Sequence, residues 1–217
     1  HTIGIGASQS GRFLRDFVYR DFNRNEQGSK VFDGMLPLVA GAKRGYFTER
    51  FAQPGRSPNW QHEMRGYPGG QFPFTYGTLT DPVTGLTDGI QKRCAQTSTC
   101  PNVMQVDSET EQWQSFGSLL MTDTFGQPVA LPDNVRSYVV SGTQHGSAGG
   151  PIAQGTFAPN AAICQTNASA NPLSWRPVFY ALYVNMQAWL KDGTLPPDSR
   201  NPAGTSKGRL SIDALGN

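Results

Sequence analysis

The chain opens with HTIGIGASQSGRFL, residues 1–14, a pattern that predicts a short buried strand, an abrupt turn at Ser8 and the first turn of a helix. A strand that reverses directly into a helix forces the residue at the apex into strained backbone geometry, and the residues two positions away must then be small. Gly6 and Ser10 are small enough, and Gly11 leaves additional room. We therefore expect the Ser8 side chain to project from the carboxyl end of the strand towards a cleft.

The pattern around Ser8 resembles the nucleophile elbow of α/β-hydrolases, G-x-S-x-G, with Ser10 in place of the last glycine. In such an elbow the amide of Gln9 lies at a helix N-terminus, where N–H groups and the helix dipole favour an oxyanion. Two other interpretations remain open. A dinucleotide-binding loop needs a different glycine spacing and an acidic residue after the second strand, where this chain has Gly41. A purely structural turn is the other.

Length and charge exclude several classes of partner. The 217 residues suffice for one domain with a sizeable core, so we expect residues 1–217 to form a single domain. The 18 Lys and Arg nearly balance the 16 Asp and Glu, and no basic run occurs, so neither nucleic acid nor an acidic membrane surface is indicated. No apolar run approaches the roughly 20 residues of a membrane span.

Glycine, proline and cysteine usage favour a rigid, loop-rich protein outside the cytoplasm. The chain has 25 Gly and 16 Pro, and charged residues make up only 16%. Cys94 and Cys100 lie six positions apart in a predicted polar loop, a spacing that predicts a small disulfide loop and lacks the paired C-x-x-C sets of a zinc site. Because such a bond needs an oxidising compartment, we expect a periplasmic or secreted protein with no bound metal. Cys164 is expected to be a buried small hydrophobe.

Strand and helix patterns alternate along the chain, which predicts an α/β fold with a mostly parallel sheet flanked by helices. The apolar spacing indicates helices or strands at the following positions: helix 12–22, strand 32–41, strand 102–106, a helix that begins at 107–111 and continues through Leu120, strand 136–140 and helix 175–190.

Residues 42–101 interrupt this alternation with glycine, proline and aromatic residues. A structureless loop of that length is unusual in a compact domain unless it has a function, so we expect a cap over the carboxyl ends of the strands. The candidate substrate-pocket residues in it are His62, Phe72, Phe74 and Tyr76. The alternative is a packed insertion that only thickens the edge of the core.

A serine hydroxyl needs a base, and the chain offers three histidines. His1 would lie about 20 Å from Ser8, at the far end of the first strand. His62 lies in the insertion. His145 follows a strand by a few residues on a glycine-rich loop, which places it at the same sheet edge as Ser8 if the sheet is parallel. We therefore predict that His145 is the base.

Several carboxylates follow the preceding strand and are candidates for the acid that orients the base. Asp107 lies nearly within the strand, Glu109 and Glu111 lie just beyond it, and Asp123 lies beyond the next helix. The acid of many α/β-hydrolases lies about four residues past the strand, which favours Glu111 while Asp107 and Asp123 stay open. The order Ser8, Glu111, His145 is the α/β-hydrolase order. Carboxylate bias in the first turn of a helix is the structural alternative.

The resemblance extends beyond the elbow to most of the chain. The segments GASQSGRFLR (6–15), FPFT (72–75), EQW (111–113), SLLMTD (118–123), GTQHG (142–146) and DGTLPP (192–197) resemble the "alpha/beta hydrolase domain" proteins, a mostly bacterial family. The resemblance implies a serine hydrolase with Ser8 as nucleophile and His145 as base. Glu111 falls at the family's Glu-aromatic-Trp position, with Gln112 where tyrosine is common. No substrate is implied.

The resemblance also implies several strands before the elbow, one of whose loops supplies a second oxyanion donor. Because these N-terminal strands are missing from the 217 residues, we expect the chain to be part of a longer domain, or a second chain to complete the sheet. Loss of one oxyanion donor typically lowers the rate by about 10²–10³.

Together these patterns predict a serine hydrolase that cleaves small-molecule carboxylic esters through an acyl-enzyme, without a cofactor. Two alternatives remain. The same residues suit an amidase, a lactonase or an acyltransferase, and the chain would otherwise be a non-catalytic hydrolase-fold subunit that binds another polypeptide.

Overall fold

A sheet of parallel strands forms the centre of the molecule. The structure, a computed structural model, describes residues 1–45, 47–48, 72–146 and 173–202. In chain order its strands are β1 (Ile3–Ala7), β2 (Gly34–Leu38), β3 (Leu79–Thr80), β4 (Thr87–Asp88), β5 (Asn102–Ser108) and β6 (Val135–Val140). The central sheet has the order β1-β2-β5-β6 with every neighbour parallel, while β3 and β4 form a separate antiparallel pair.

Helices connect the strands and cover both faces of the sheet. They are α1 (Gln9–Tyr19), α2 (Lys92–Thr97), α3 (Glu109–Gln114) and α4 (Arg176–Asp192), with a 3₁₀ turn at Gly117–Leu120. Parallel strands need a crossover between them, and α1 supplies it between β1 and β2. The predicted α/β fold with a parallel sheet flanked by helices is confirmed.

Side chains that alternate along the strands divide the core into two layers. On one face, Met35 and Val103 pack with Leu14 and Val18 of α1. On the other face, Leu36 and Met104 pack with side chains of α4, chiefly Leu182, Met186 and Trp189. The strands are apolar on both faces because both are covered, as in other parallel sheets. The carboxyl ends of β1, β5 and β6 therefore open at one sheet edge, which positions the candidate site.

The described part of the 42–101 insertion packs into the core. Phe74, Tyr76, Ile90 and Cys94 belong to the apolar layer on the α1 side. Cys94 lies on α2 and is fully buried, so its assignment to a polar loop was wrong, although it does form a disulfide with Cys100. Residues 72–101 thus pack as expected for the alternative of a packed insertion, while residues 46 and 49–71 of the predicted 42–101 cap lie outside the described residues.

The helix predicted to continue through Leu120 is shorter. It ends at Gln114, and Phe116 adopts the left-handed backbone conformation with φ 55°, which cannot continue a right-handed α-helix. The backbone N–H of Ala42 donates to the carbonyl of Ser115 at 2.9 Å, so this carbonyl serves the chain after β2. None of the helices in the described ranges is long and apolar enough to cross a membrane.

Candidate active site

Ser8 lies at the sharp turn between β1 and α1. Its backbone has φ 56° and ψ −119°, a strained conformation for a residue with a side chain, and its N–H donates to the carbonyl of Leu38 on β2 at 2.8 Å. A Cβ added at Gly6 would lie 2.4 Å from the backbone oxygen of Ser10. Strand and helix can therefore pass this closely only because position 6 has no side chain.

His145 lies on the loop after β6, with its ring beside Ser8. Its Nε2 is 2.9 Å from the Oγ of Ser8, and its Nδ1 is 2.5 Å from the Oε1 of Glu111. An ionised carboxylate can only accept hydrogen bonds, so Nδ1 carries the hydrogen. Nε2 is then left to accept the hydroxyl hydrogen of Ser8. The structure thus brings together the three residues that the sequence predicts as nucleophile, base and acid.

Glu111 is completely buried at the start of α3, and both of its oxygens are used. Oε1 faces His145, while Oε2 accepts from the backbone N–H of Ser108 at 3.0 Å and from its hydroxyl at 2.5 Å. Ser108 is the N-cap and Glu111 the third residue of the helix, so the pair forms a capping box. The pattern S-x-x-E at 108–111 is the sequence signature of this capping box.

Hydrogen bonds from neighbouring elements hold the loop that carries His145. The N–H of Gly142 donates to the Oε2 of Glu109 at 2.6 Å. The indole N–H of Trp175, next to the start of α4, donates to the carbonyl of His145 at 3.4 Å. The Thr143 hydroxyl donates to the carbonyl of Val140. Glu109, one of the candidate acids, thus contacts the loop backbone and not the imidazole.

Asp107 is a structural carboxylate beside the site. It is buried in β5, and its Oδ1 accepts from the N–H groups of Ala40 and Gly41 at 2.9 and 3.1 Å. Its Oδ2 accepts from the side-chain amide of Gln105 at 2.7 Å. Burial raises the pKa of Asp107 to about 6, while the donors from Gly41 and Gln105 act in the opposite direction. Asp107 therefore fixes the turn after β2, and its bonds leave Glu111 as the carboxylate on His145.

Gln105 connects Asp107 to the helix that follows Ser8. Its side-chain oxygen accepts from Nη1 of Arg15 and from the hydroxyl of Tyr76, each at 2.8 Å. Burial raises the pKa of Tyr76 to about 12. The sequence predicts a substrate contact for Tyr76, whereas the structure places it in the core because its hydroxyl completes this buried network. A local sequence pattern cannot predict this network, because Arg15 and Gln105 lie 90 positions apart in the chain.

Gln9, the predicted oxyanion donor, is the first residue of α1. Its backbone N–H belongs to the first turn of that helix. The turn at Ser8 directs this end of α1 towards the same sheet edge as His145. Gln9 thus follows Ser8 directly in the chain, at the N-terminus of α1.

The other predicted positions lie away from this cluster or outside the described residues. Phe72 and Phe74 line a small cavity that also includes Asp123, and none of Ser8, Glu111 and His145 lines it. Asp123 accepts from the N–H groups of Phe125 and Gln127 and closes a turn. His1 contacts Asp33 at the far end of β1. His62 and Cys164 lie outside the described residues.

This arrangement suits nucleophilic catalysis by a serine. The hydroxyl has an imidazole as proton acceptor, and the imidazole has a buried carboxylate that sets its tautomer and stabilises its charged form. The N-terminus of α1 lies directly after Ser8, and helix N-termini favour anionic groups.

Comparison with known proteins places the chain in a family. No curated protein and no solved structure matches it. The family model described as "Alpha/beta hydrolase domain" matches residues 1–217, which agrees with the parallel sheet flanked by helices and indicates a hydrolase. Since that match extends over all 217 residues, the chain belongs to the alpha/beta hydrolase domain family.

Proposed function

We propose that this hydrolase cleaves carboxylic esters through an acyl-enzyme formed on Ser8. The observation that carries the proposal is the pair of contacts on His145, with Nε2 2.9 Å from the Ser8 hydroxyl and Nδ1 2.5 Å from Glu111. The strained backbone of Ser8 supports it, because such strain is common where a side chain must be presented to a substrate.

The first half of the reaction forms the acyl-enzyme. Nε2 of His145 takes the Ser8 proton as Oγ attacks the ester carbonyl, and Glu111 stabilises the imidazolium. The N–H of Gln9 donates to the oxyanion of the tetrahedral intermediate. The intermediate then breaks its bond to the alcohol oxygen, which receives the proton from Nε2 and leaves. In the second half, water loses a proton to Nε2 and attacks the acyl carbonyl, which releases the acid and restores the Ser8 hydroxyl.

A periplasmic or secreted location is part of the proposal. The disulfide between Cys94 and Cys100 supports it, because such bonds persist mainly in oxidising compartments.

Labelling of the nucleophile tests the proposal directly. A fluorophosphonate probe should add one adduct to the protein, and peptide mass spectrometry should locate it on Ser8. The variant Ser8→Ala should take up no probe, whereas Ser29→Ala, a control at an exposed serine far from the elbow, should label like the wild type. Hydrolysis of p-nitrophenyl acetate and trapping of the acyl group with hydroxylamine should follow the same pattern. An unlabelled wild type, or an adduct retained by Ser8→Ala, would contradict the mechanism.

A further inference from the structure

The ring of His145 is partly open to solvent. Its side chain is 43% exposed, whereas the Glu111 side chain that it contacts is 1% exposed. A ring this open to solvent keeps its position through hydrogen bonds and through the backbone that carries it. The backbone of residues 141–146 leaves β6 as a loop and has no regular secondary structure. Anchors on this loop therefore decide where Nε2 lies relative to Ser8.

One such anchor comes from the same helical turn as Glu111. Glu109 is the first residue of α3 and Glu111 the third. Glu109 accepts from the N–H of Gly142 at 2.6 Å, while Glu111 accepts from the ring of His145. Gly142 has φ 71°, a conformation that favours glycine, and this turn directs its N–H to Glu109. The loop backbone and the imidazole are thus tied to one rigid element.

We propose that Glu109 is a positioning residue for the base: its carboxylate fixes the loop that carries His145 and so keeps Nε2 within reach of Ser8. The inference rests on the proposed function, since it assigns a role within the same reaction. A short bond from an N–H to an ionised carboxylate is among the stronger hydrogen bonds in proteins. Because Glu109 is only half-buried, its loss should affect the loop more than the fold.

A different explanation for Glu109 is the general preference for carboxylates at helix N-termini. Two conservative variants separate the explanations. Glu109→Gln keeps an acceptor oxygen at the same reach but removes the charge. Glu109→Asp keeps the charge at the helix end but shortens the side chain by one methylene, so that it falls short of Gly142. Positioning predicts that the Gln variant is the more active, and charge alone predicts the reverse.

The experiment compares kcat and KM for p-nitrophenyl acetate among the wild type, Glu109→Ala, Glu109→Asp and Glu109→Gln. Displacement of a catalytic group by about 1 Å can lower the rate by about 100-fold, so kcat of the Ala and Asp variants should fall by roughly 10- to 100-fold with little change in KM. The Gln variant should retain more of its kcat than either. All should keep thermal midpoints close to that of the wild type, and Glu26→Ala, at an exposed glutamate in a turn, serves as the control.

A second measurement does not require turnover. The amide hydrogen of Gly142 should exchange slowly in the wild type and in Glu109→Gln, and faster in Glu109→Ala. If the wild type neither hydrolyses the ester nor reacts with fluorophosphonate, the proposed function fails. The exchange rates of Gly142 still test whether Glu109 holds the loop. Wild-type kcat in Glu109→Ala, an Asp variant more active than the Gln variant, or unchanged Gly142 exchange would each overturn the inference.

Discussion

Replacement of Asp107 by asparagine should change how the stability of the protein depends on pH. Burial raises the pKa of this carboxyl from 3.8 to about 6, so the folded state binds its proton more tightly than the unfolded chain. The contribution of Asp107 to stability is then fully present below the unfolded pKa of 3.8 and is lost as pH rises through the folded pKa of about 6. Asparagine cannot titrate, so the variant lacks this dependence.

The expected magnitude follows from the two pKa values. A rise from 3.8 to about 6 corresponds to about 3 kcal/mol between the fully protonated and fully ionised limits. By the linkage relation, the contribution of Asp107 to the free energy of unfolding decreases by roughly 2 kcal/mol between about pH 4.5 and about pH 7.5. The free energy of unfolding of the wild type, relative to Asp107→Asn, should therefore fall by roughly 2 kcal/mol over that interval.

The variant should also be less stable through a cause that does not depend on pH. The Oδ2 of Asp107 accepts from the side-chain NH₂ of Gln105, and the side-chain oxygen of Gln105 accepts from Arg15 and Tyr76. If the Gln105 amide flipped, its NH₂ group would face these two donors, so its orientation is fixed. An asparagine amide would therefore oppose the amide of Gln105, and an unsatisfied buried donor costs about 1–3 kcal/mol. This offset cancels when the difference between the two proteins is compared at two pH values.

Urea unfolding of both proteins at each pH, extrapolated to water, measures the difference. Asp133→Asn, at an exposed position, controls for loss of one surface carboxylate. A difference between wild type and Asp107→Asn that stays constant with pH would show that burial does not raise this pKa. A difference that grows in favour of the wild type as pH rises would show that the donors around Asp107 outweigh its burial, and would refute the reasoning.

Two further substitutions test the site. Gly6→Ala should lower the free energy of unfolding by about 1–3 kcal/mol in urea titrations, because the new Cβ would lie 2.4 Å from the backbone oxygen of Ser10. The variant should also react more slowly with fluorophosphonate at Ser8. Labelling and stability at wild-type levels would contradict this prediction. Ser108→Ala removes the hydroxyl bond to Glu111 and should lower kcat by about 10-fold in p-nitrophenyl acetate assays, while Ser108→Thr retains the hydroxyl and most of the activity; equal kcat in the Ala variant and the wild type would argue against it.

The elbow could be predicted because its constraints are local. A turn from strand to helix needs small residues two positions before and after its apex. Gly6 and Ser10 occupy those positions, so the turn is visible in the local sequence. The convergence of Ser8, Glu111 and His145 needed one further assumption, a parallel sheet, because parallel strands bring their carboxyl ends to one edge. The family match and the strand order support that sheet.

The buried network of Arg15, Tyr76, Gln105 and Asp107 could not be predicted in the same way. Apart from the bond between Gln105 and Asp107 within β5, each bond joins residues from different parts of the chain, and the partners of Arg15 lie 27, 59 and 90 positions away. From sequence alone, an aromatic residue such as Tyr76 in an insertion rich in glycine and proline suggests a substrate contact. Its burial depends on where the insertion returns to the sheet, which local patterns do not encode.

The position at which α3 ends also depends on contacts that local sequence patterns do not predict. The apolar spacing of Phe116, Leu119 and Leu120 is compatible with a helix that continues from Glu109, although Gly117 between them favours a helix end. The helix nevertheless stops because the Ser115 carbonyl accepts from the backbone that follows β2. A tertiary hydrogen bond here overrides a local pattern, and it also fixes the chain next to Asp107.

The segment 107–111 connects these observations, because its side chains bond to different neighbours of the site. Asp107 holds the turn after β2, Ser108 and Glu111 hold each other, and Glu109 holds the loop that carries His145. The strand β2 in turn receives the Ser8 amide through the carbonyl of Leu38. A shift of this segment would therefore move the base and the support of the nucleophile together. Because each bond has its own partner, single substitutions should separate these effects: Asp107 through stability, Glu109 through kcat and the exchange of Gly142.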